Sequence, residues 1–317
     1  MKVLLLDPYP KRPWRISKDT SGGYGTANRF GDGLVSRLIT WVMAREVDWP
    51  PLYCVHTAGV LVDQGHEVEY SRHFDAQKKY DLCLVTSSIV SHETEVAAVA
   101  AVAAAGIPVG VIGPLATTIS EPYVNVGGFV IAGEPEMYFW KNPIKKESVA
   151  ELSGVISSGD AVPLDDLPLP AWELVFKSSA PKFGLLGGGR VMLPIAATRG
   201  CPYSCSHYCV YPLQQGNKVR LRDAKKIVAE MEHWSDKLGI TYFIFRDPVF
   251  SINRKHTLKL CEALEESSYK FKFMIETHLN NMDEELAIRL KKSGLEMVKV
   301  GIEATSKDTI EQSKRFS

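Results

Sequence analysis

The chain has 317 residues, of which 45% are hydrophobic and 23% are charged, so it can bury a proper core and is not disordered. Lys plus Arg equals Asp plus Glu at 37 each, which excludes the positive charge typical of general nucleic-acid binding. Asp7 and Pro8 interrupt the first apolar run before a signal-peptide core develops, and no run is long enough to predict a membrane span. We therefore expect a soluble, cytoplasmic protein of about two domains.

The first 140 residues alternate short apolar runs with helical stretches, which is typical of an open parallel α/β sheet. The pattern predicts helices over residues 51–64 and 92–105. It predicts strands over residues 3–6, 66–70, 82–86, 107–112 and 127–133. The last two strands lead into Gly113 and Glu134, at the sheet edge where ligands bind in this architecture.

The longest loop of this region follows the first strand and carries SGGYGTANRFGDG, residues 21–33. Two interpretations stay open for it, a ligand-binding loop at the sheet edge and a mobile insertion. Asn28 stands where a dinucleotide-binding G-x-G-x-x-G motif has its third glycine, so that motif is incomplete.

Residues 143–190 are rich in Pro, Gly and charge and are predicted to form an extended linker. A second alternation of strands and helices starts at Val191, with strands near residues 191–196, 240–245, 271–276 and 295–303. Repeated strand–helix–strand units of this kind predict a (β/α) barrel or half of one.

Three of the six cysteines, Cys201, Cys205 and Cys209, follow the first strand of this second region, where barrel active sites lie. Six cysteines are too few for a disulfide scaffold, so the cluster indicates a metal site. Three thiolates without a fourth suit an iron–sulfur cubane with one open iron. The alternative is zinc with His207 as the fourth ligand.

The cysteine loop resembles the signature loop of radical S-adenosylmethionine (radical SAM) enzymes at Gly200, Cys201, Pro202, Cys205, Tyr208 and Cys209. That family uses C-x3-C-x2-C with an aromatic residue before the last cysteine. This chain keeps the aromatic residue but reads C-x3-C-x3-C, and a loop can absorb one residue by bulging.

Further segments resemble cobalamin-type members of that family in the expected order. They are DDLPLPAWE (165–173), FRDPVFSINR (245–254) and VGIEATS (300–306). PPLYCVHTAGVLVDQGHEVE, VTSSIVSHETE, IGPLATT and AGEPE resemble the cobalamin-binding module fused to them. The resemblance implies a Rossmann-like cobalamin-binding domain over 1–142, the linker over 143–190 and a radical SAM core over 191–317.

The resemblance also implies the cofactors and their ligands. A 4Fe–4S cluster on Cys201, Cys205 and Cys209 would bind S-adenosylmethionine, and one electron would cleave it to a 5′-deoxyadenosyl radical. Gly200 would let the backbone approach the cluster, and Tyr208 would line the adenine. Polar contacts to the methionine or ribose would come from Arg246, Asp247 and Glu303, and contacts to cobalamin from Gly113 and Glu134.

The reaction that the resemblance favours is methyl transfer to an unactivated carbon of a small-molecule substrate, with an electron donor such as flavodoxin or ferredoxin. Ring formation or rearrangement with the same cofactors is the closest alternative. A nucleotide-binding oxidoreductase with structural zinc, and a non-catalytic remnant, are the others. The Asp-x-His-x-x-Gly motif that supplies a histidine to cobalt does not occur, so we expect no histidine ligand from it.

The sequence ends just after the fourth predicted strand of the second region. A strand as apolar as LEMVKVGIE is a poor bare edge, and the family usually has about six strand–helix units. We therefore expect a barrel truncated after about four strands, in a fragment of a longer enzyme.

Overall fold

The computed structural model describes residues 1–44, 48–178, 191–203 and 209–301. The described residues form two compact units. The first takes in residues up to 162 and again 166–178, and the second takes in residues 163–165 and those from 191 onward. Within the described ranges, no helix has the length and apolar character needed to cross a bilayer.

The first unit is built on a six-stranded sheet in which every neighbouring pair is parallel. Its strands are β1 (Lys2–Leu6), β4 (Glu67–Ser71), β5 (Leu82–Thr86), β6 (Val109–Ile112), β7 (Phe129–Ala132) and β8 (Val155–Ser157). Their order in the sheet is β4-β1-β5-β6-β7-β8. The central strands are buried on both faces, which explains their continuous apolar runs and confirms the predicted Rossmann-like sheet.

Helices follow these strands along the chain. They are α1 (Leu34–Met43), α2 (Leu52–Asp63), α3 (His92–Ala104), α4 (Pro114–Thr118), α5 (Glu121–Val124), α6 (Pro135–Lys141), α7 (Lys146–Val149) and α8 (Trp172–Ser178). Helix α2 buries nine residues, including Cys54 and His56. The first turn of α3 carries Glu93 and Glu95, and acidic side chains suit the positive end of a helix.

The long loop after β1 contains a short antiparallel hairpin of β2 (Arg15–Ser17) and β3 (Thr26–Asn28). A turn of 3-10 helix over Ser21–Gly23 joins its two strands. The loop therefore has regular structure within the described residues, in contrast to a mobile insertion.

The segment predicted as a linker contributes to the first sheet. Strand β8 pairs in parallel with β7, in the register Val130↔Val155 and Ile131↔Ile156. Further along, the fully buried Trp172 of α8 meets the Trp49 ring edge-on at 5.4 Å between centroids. The apolar residues of β8 are too few, among Pro, Gly and charged neighbours, to predict a strand from the sequence pattern alone.

The second unit is built on a four-stranded parallel sheet of order β14-β13-β12-β9. Its strands are β9 (Met192–Ile195), β12 (Tyr242–Phe245), β13 (Lys272–Thr277) and β14 (Leu295–Val300). The intervening helices are α9 (Tyr211–Gln215), α10 (Ala224–Leu238), α11 (Arg254–Glu266) and α12 (Glu284–Lys292), and β10 (Thr198–Arg199) pairs with β11 (Arg220–Leu221). Consecutive parallel strands with intervening helices confirm the predicted partial (β/α) barrel.

The ends of these helices are set by local chemistry that is readable in the sequence. Asp223, Asn253 and Asp283 cap α10, α11 and α12 by accepting backbone N–H groups of the first turn. Gly239 ends α10 in the left-handed conformation. Because all four strands are parallel, their carboxyl ends lie at one edge of the sheet.

Candidate cofactor site

The cysteine loop begins at the carboxyl end of β9, the first strand of the second unit. Cys201 is buried, and Cys209 is half-buried just before α9. Cys205, the middle member of the predicted ligand set, lies outside the described residues, as do His207 and Tyr208. The three-cysteine ligand set therefore stays a prediction.

The base of this loop is held by Asp247, the second residue after β12. Its side chain is fully buried, and its carboxylate accepts the backbone N–H groups of Ala197, at 3.0 Å, and Thr198. Burial raises the pKa of Asp247 to about 6, although the hydrogen bonds from Thr198 and Ala197 act in the opposite direction. The carboxylate predicted to bind S-adenosylmethionine is thus directed at the backbone just before Gly200.

Gly200 has a φ of +82°, and a Cβ atom there would lie 2.2 Å from the carbonyl oxygen of Lys218. Its N–H donates to Oε1 of Gln215 at 3.0 Å. The next N–H, of Cys201, donates to the Gly216 carbonyl at 3.2 Å. The structure thus shows that Gly200 allows a close approach of the Lys218 backbone, and its predicted role beside the cluster stays a prediction.

The tip of the described loop is held by Tyr203. Its hydroxyl lies 3.0 Å from Nδ2 and 3.3 Å from Oδ1 of Asn281, just beyond β13. Its ring lies 5.3 Å from the His278 ring, between centroids. The cysteine loop is therefore attached to the sheet near β12 by Asp247 and near β13 by Tyr203.

A row of charged groups crosses the carboxyl ends of β12, β13 and β14. Nη1 of Arg246 lies 3.3 Å from Oε1 of Glu276, and Nζ of Lys299 lies 3.9 Å from the same oxygen. The Arg246 side chain is 13% exposed and that of Glu276 is 32% exposed, so the row is partly open to solvent. Arg246 was predicted as a polar ligand group, and the structure adds Glu276 beside it.

Three predicted site residues do not belong to the described part of the second unit. Glu303 is outside the described residues. In the first unit, Gly113 follows β6 with a φ of +117°, close to Tyr53 and Ser87. Glu134 is buried after β7, and its N–H donates to Ser158 Oγ at 3.2 Å. Both residues lie at the predicted carboxyl edge of the first sheet.

Sequence reasoning missed four side chains that shape the cysteine loop, namely Gln215, Glu276, His278 and Asn281. Glu276 and His278 had a usable signal, because they end the apolar run of β13 in FKFMIETHLN. Gln215 had no such signal, since it ends a five-residue helix after the cysteines.

A comparison with protein-family models matches residues 195–316 to the radical SAM superfamily. This part of the chain is a radical SAM domain. The match confirms the predicted superfamily, which is a superfamily of enzymes. It implies S-adenosylmethionine and a 4Fe–4S cluster as cofactors, as predicted from the cysteine loop. It thereby favours the iron–sulfur interpretation over zinc.

Two curated relatives illustrate what this chain is similar to. An uncharacterised methyltransferase of Synechocystis is 24% identical over 289 residues, covering 87% of this chain and 51% of the relative. The anaerobic magnesium-protoporphyrin IX monomethyl ester cyclase of Cereibacter sphaeroides is 34% identical over 123 residues, covering 38% of this chain and 20% of the cyclase. The chain thus spans about half the length of the first relative and less of the second.

A solved structure shares the fold of both units. The radical S-adenosylmethionine methyltransferase TsrM from Kitasatospora setae matches with a TM-score of 0.63 at 16% identity, over 97% of this chain and 60% of TsrM. TsrM has also been solved with cobalamin and a 4Fe–4S cluster bound. At this identity the likeness shows the fold, and it confirms the predicted combination of a Rossmann-like sheet with a radical SAM barrel.

Proposed function

We propose that this chain is part of a cobalamin-dependent radical SAM methyltransferase, with a corrinoid-binding first unit and a catalytic second unit. The observation that carries the proposal is the position of the cysteine loop, which leaves β9 at the carboxyl edge of a radical SAM domain. The TsrM fold likeness, which extends over both units, supports the combination of cofactors.

In the second unit, Cys201, Cys205 and Cys209 are proposed to hold the cluster. When bound, the cluster and S-adenosylmethionine supply a one-electron cleavage that produces a carbon radical able to remove an unactivated hydrogen. The chain's own contribution is to fix the loop. Asp247 holds the backbone before the first cysteine, and Tyr203 holds it after that cysteine.

The row of charged groups at the strand ends suits the zwitterionic methionine portion of S-adenosylmethionine. Arg246 can donate to a carboxylate, and Glu276 can accept from an ammonium group. Because their mutual contact is 3.3 Å and partly exposed, ligand binding would exchange one charged partner for another at modest cost. Arg246 and Glu276 are therefore the polar groups we propose for this role, in place of Asp247.

The carboxyl edge of the first unit fits a corrinoid on its outer loops. A corrin ring is flat, with apolar methyl groups and amide side chains around it. Ile89, after β5, is 59% exposed, and Ile119, after α4, is 51% exposed. The loop after β7 opens with the half-buried Gly133, whose positive φ brings backbone close to the edge, whereas Gly113, after β6, is buried. These groups offer the apolar and backbone contacts that such a ring requires.

Methyl transfer is proposed over ring formation because the Synechocystis relative, whose alignment covers 87% of this chain, and TsrM are both named methyltransferases. The cyclase relative keeps ring formation as the second candidate. Isotope label separates the two, since only a methyltransferase places the labelled methyl carbon of S-adenosylmethionine in its product.

The experiment starts from anaerobic reconstitution with iron, sulfide and hydroxocobalamin, with metal content measured after desalting. The proposal predicts about four irons per chain and one cobalt. Incubation with reductant and methyl-labelled S-adenosylmethionine should then label the bound corrinoid. Iron without cobalt would remove the methyltransferase proposal while leaving the radical SAM domain, and zinc in place of iron would contradict both.

A further inference from the structure

The order in which strands are added to the first sheet reverses at one point. From β1 the chain passes to β4 on one side, and all later strands lie on the other side, beginning with β5. In open parallel sheets, ligands bind in the crevice at the carboxyl ends of the strands where the order reverses in this way. That crevice lies here between Asp7, the residue after β1, and Thr86, the last residue of β5.

The crevice is occupied by the ammonium group of Lys18, which comes from the loop after β1. Its Nζ lies 3.0 Å from Oδ1 of Asp7, 2.8 Å from Oε1 of Glu95 and 2.6 Å from the Pro8 carbonyl oxygen. The three ionic side chains are fully buried. An ammonium group has three protons, and these three oxygens can accept all of them.

The two carboxylates are also satisfied by the chain's own donors. Asp7 accepts hydrogen bonds from Thr86 Oγ1 at 2.6 Å and Tyr70 Oη at 2.8 Å. Glu95 accepts from the N–H of Ser88 at 2.8 Å and from its hydroxyl at 2.7 Å. Burial raises the pKa of Asp7, but the charges of Lys18 and Arg72 and the hydrogen bonds from Thr86 and Lys18 together lower it below its usual value. Lys18, Asp7 and Glu95 thus form a buried ion triad whose polar groups are satisfied by the protein itself.

The rest of the loop covers the neighbouring strand ends. The carbonyl oxygen of Tyr24 accepts from the Ile89 N–H at 3.1 Å, and its hydroxyl lies 2.9 Å from Thr118 Oγ1. A Cβ atom at Gly25 would lie 2.5 Å from the Val90 side chain. The loop therefore lies tightly over the ends of β5 and β6 as well as over the crevice.

We infer that the Lys18 ammonium group fills the position that a ligand would occupy in this crevice. The first unit then binds a corrinoid only on the outer face of the loop after β1, which covers the crevice. This inference rests on the proposed corrinoid binding. Its consequence concerns the nucleotide tail of cobalamin, which would find the β1–β5 crevice filled. The first unit would then accept complete corrinoids and corrinoids lacking the nucleotide equally well.

The closed crevice can be tested without any cofactor, by the reactivity of lysine amines in the native chain. The chain is treated with an acetylating N-hydroxysuccinimide ester, and acetylation of each lysine is followed by mass spectrometry. Lys78, whose side chain is 48% exposed and also ion-paired, is the reference. Lys18 should react at least about 30-fold more slowly than Lys78, because reaction needs local opening. A smaller difference would show that Lys18 is accessible and that the crevice is not filled.

The ligand consequence is tested by comparing cobalamin with cobinamide, which has the same corrin ring without the nucleotide. Titration of the full chain, followed by absorbance, should give dissociation constants that differ by less than about fivefold. A larger preference for cobalamin would show that the tail has its own pocket and would overturn the inference. Failure to bind both would overturn the corrinoid proposal itself, while the acetylation result still decides the state of the crevice.

Discussion

The two units place functional loops at the carboxyl ends of parallel strands, but they fix those loops with opposite chemistry. In the first unit a cation of the loop, Lys18, enters the sheet edge and meets two carboxylates. In the second unit a carboxylate of the sheet edge, Asp247, meets backbone N–H groups of the loop. In the first arrangement the charged side chains at the sheet edge are buried against one another. The second leaves Arg246 and Glu276 partly exposed beside the cysteine loop.

The two units therefore differ in where they can bind a charged ligand. In the buried triad all three ammonium protons of Lys18 have acceptors and both carboxylates already accept hydrogen bonds, and breaking it is costly. A partly exposed pair can exchange its partners at little cost. We therefore expect polar ligand groups to bind to the second unit, and a large ring to dock on the surface of the first.

The largest effect is expected from Lys18→Met. The variant keeps an unbranched apolar stem but leaves Asp7 and Glu95 buried without their cation, which should cost about 3–5 kcal/mol of the stability of the first unit. Urea unfolding measures this loss. Lys78→Met is the matched control, because it removes an exposed ion pair with Glu69, and it should leave the transition in place. Equal effects of the two variants would contradict the buried triad.

A smaller effect, confined to the second unit, is expected from Asp247→Ala. The two N–H groups of Ala197 and Thr198 would lose their buried acceptor, at a cost of about 2–4 kcal/mol. Reconstituted chains should lose iron to a chelator faster than the wild type. Asp247→Asn retains a carbonyl acceptor and should restore much of the retention. If Asp247→Ala retains iron as the wild type does, the carboxylate does not position the loop.

Comparing Gly200→Ala with Gly239→Ala separates the cost of backbone strain from the cost of steric contact in the cysteine loop. Both Gly200 and Gly239 have positive φ values, of +82° and +69°. An added Cβ atom meets the Lys218 backbone only at Gly200, since nothing lies within 4 Å at Gly239. We expect Gly200→Ala to cost about 1–3 kcal/mol more than Gly239→Ala in thermal or urea unfolding. Equal losses would show that the loop moves away from Lys218 without cost.

Sequence patterns predicted the strands of both sheets except β8, because apolar periodicity and caps are local signals. The caps Asp223 and Asp283 and the stop at Gly239 belong to this class. The Lys18 triad could not be predicted, because a lysine in a loop is ordinarily solvated and its two partners come from distant segments. Asp247 was located at the correct strand end, but the sequence does not show which way its carboxylate faces.

The smallest expected effect is the pH dependence of Asp48, which lies 3.4 Å from Arg72 beside the triad. Burial raises the pKa of Asp48 to about 7, although the charge of Arg72 lowers it. Between about pH 4 and pH 7 the folded state then binds more protons than the unfolded state. This carboxyl group therefore reduces stability as the pH rises through that window. In Asp48→Asn, the fall of the thermal unfolding midpoint between pH 5 and pH 8 should be smaller than in the wild type, by a few degrees. An unchanged slope would contradict the raised pKa.

The central claim is that the cysteine loop of the second unit holds a cluster that cleaves S-adenosylmethionine. The direct measurement is the yield of 5′-deoxyadenosine from the anaerobically reconstituted, reduced chain. The account predicts product from the wild type and none from Cys201→Ala, Cys205→Ala or Cys209→Ala, each with reduced iron content. Product that persists in Cys209→Ala with unchanged iron would show that the third ligand is wrong. A wild-type chain that binds four irons and S-adenosylmethionine but forms no 5′-deoxyadenosine would contradict this role of the cysteine loop.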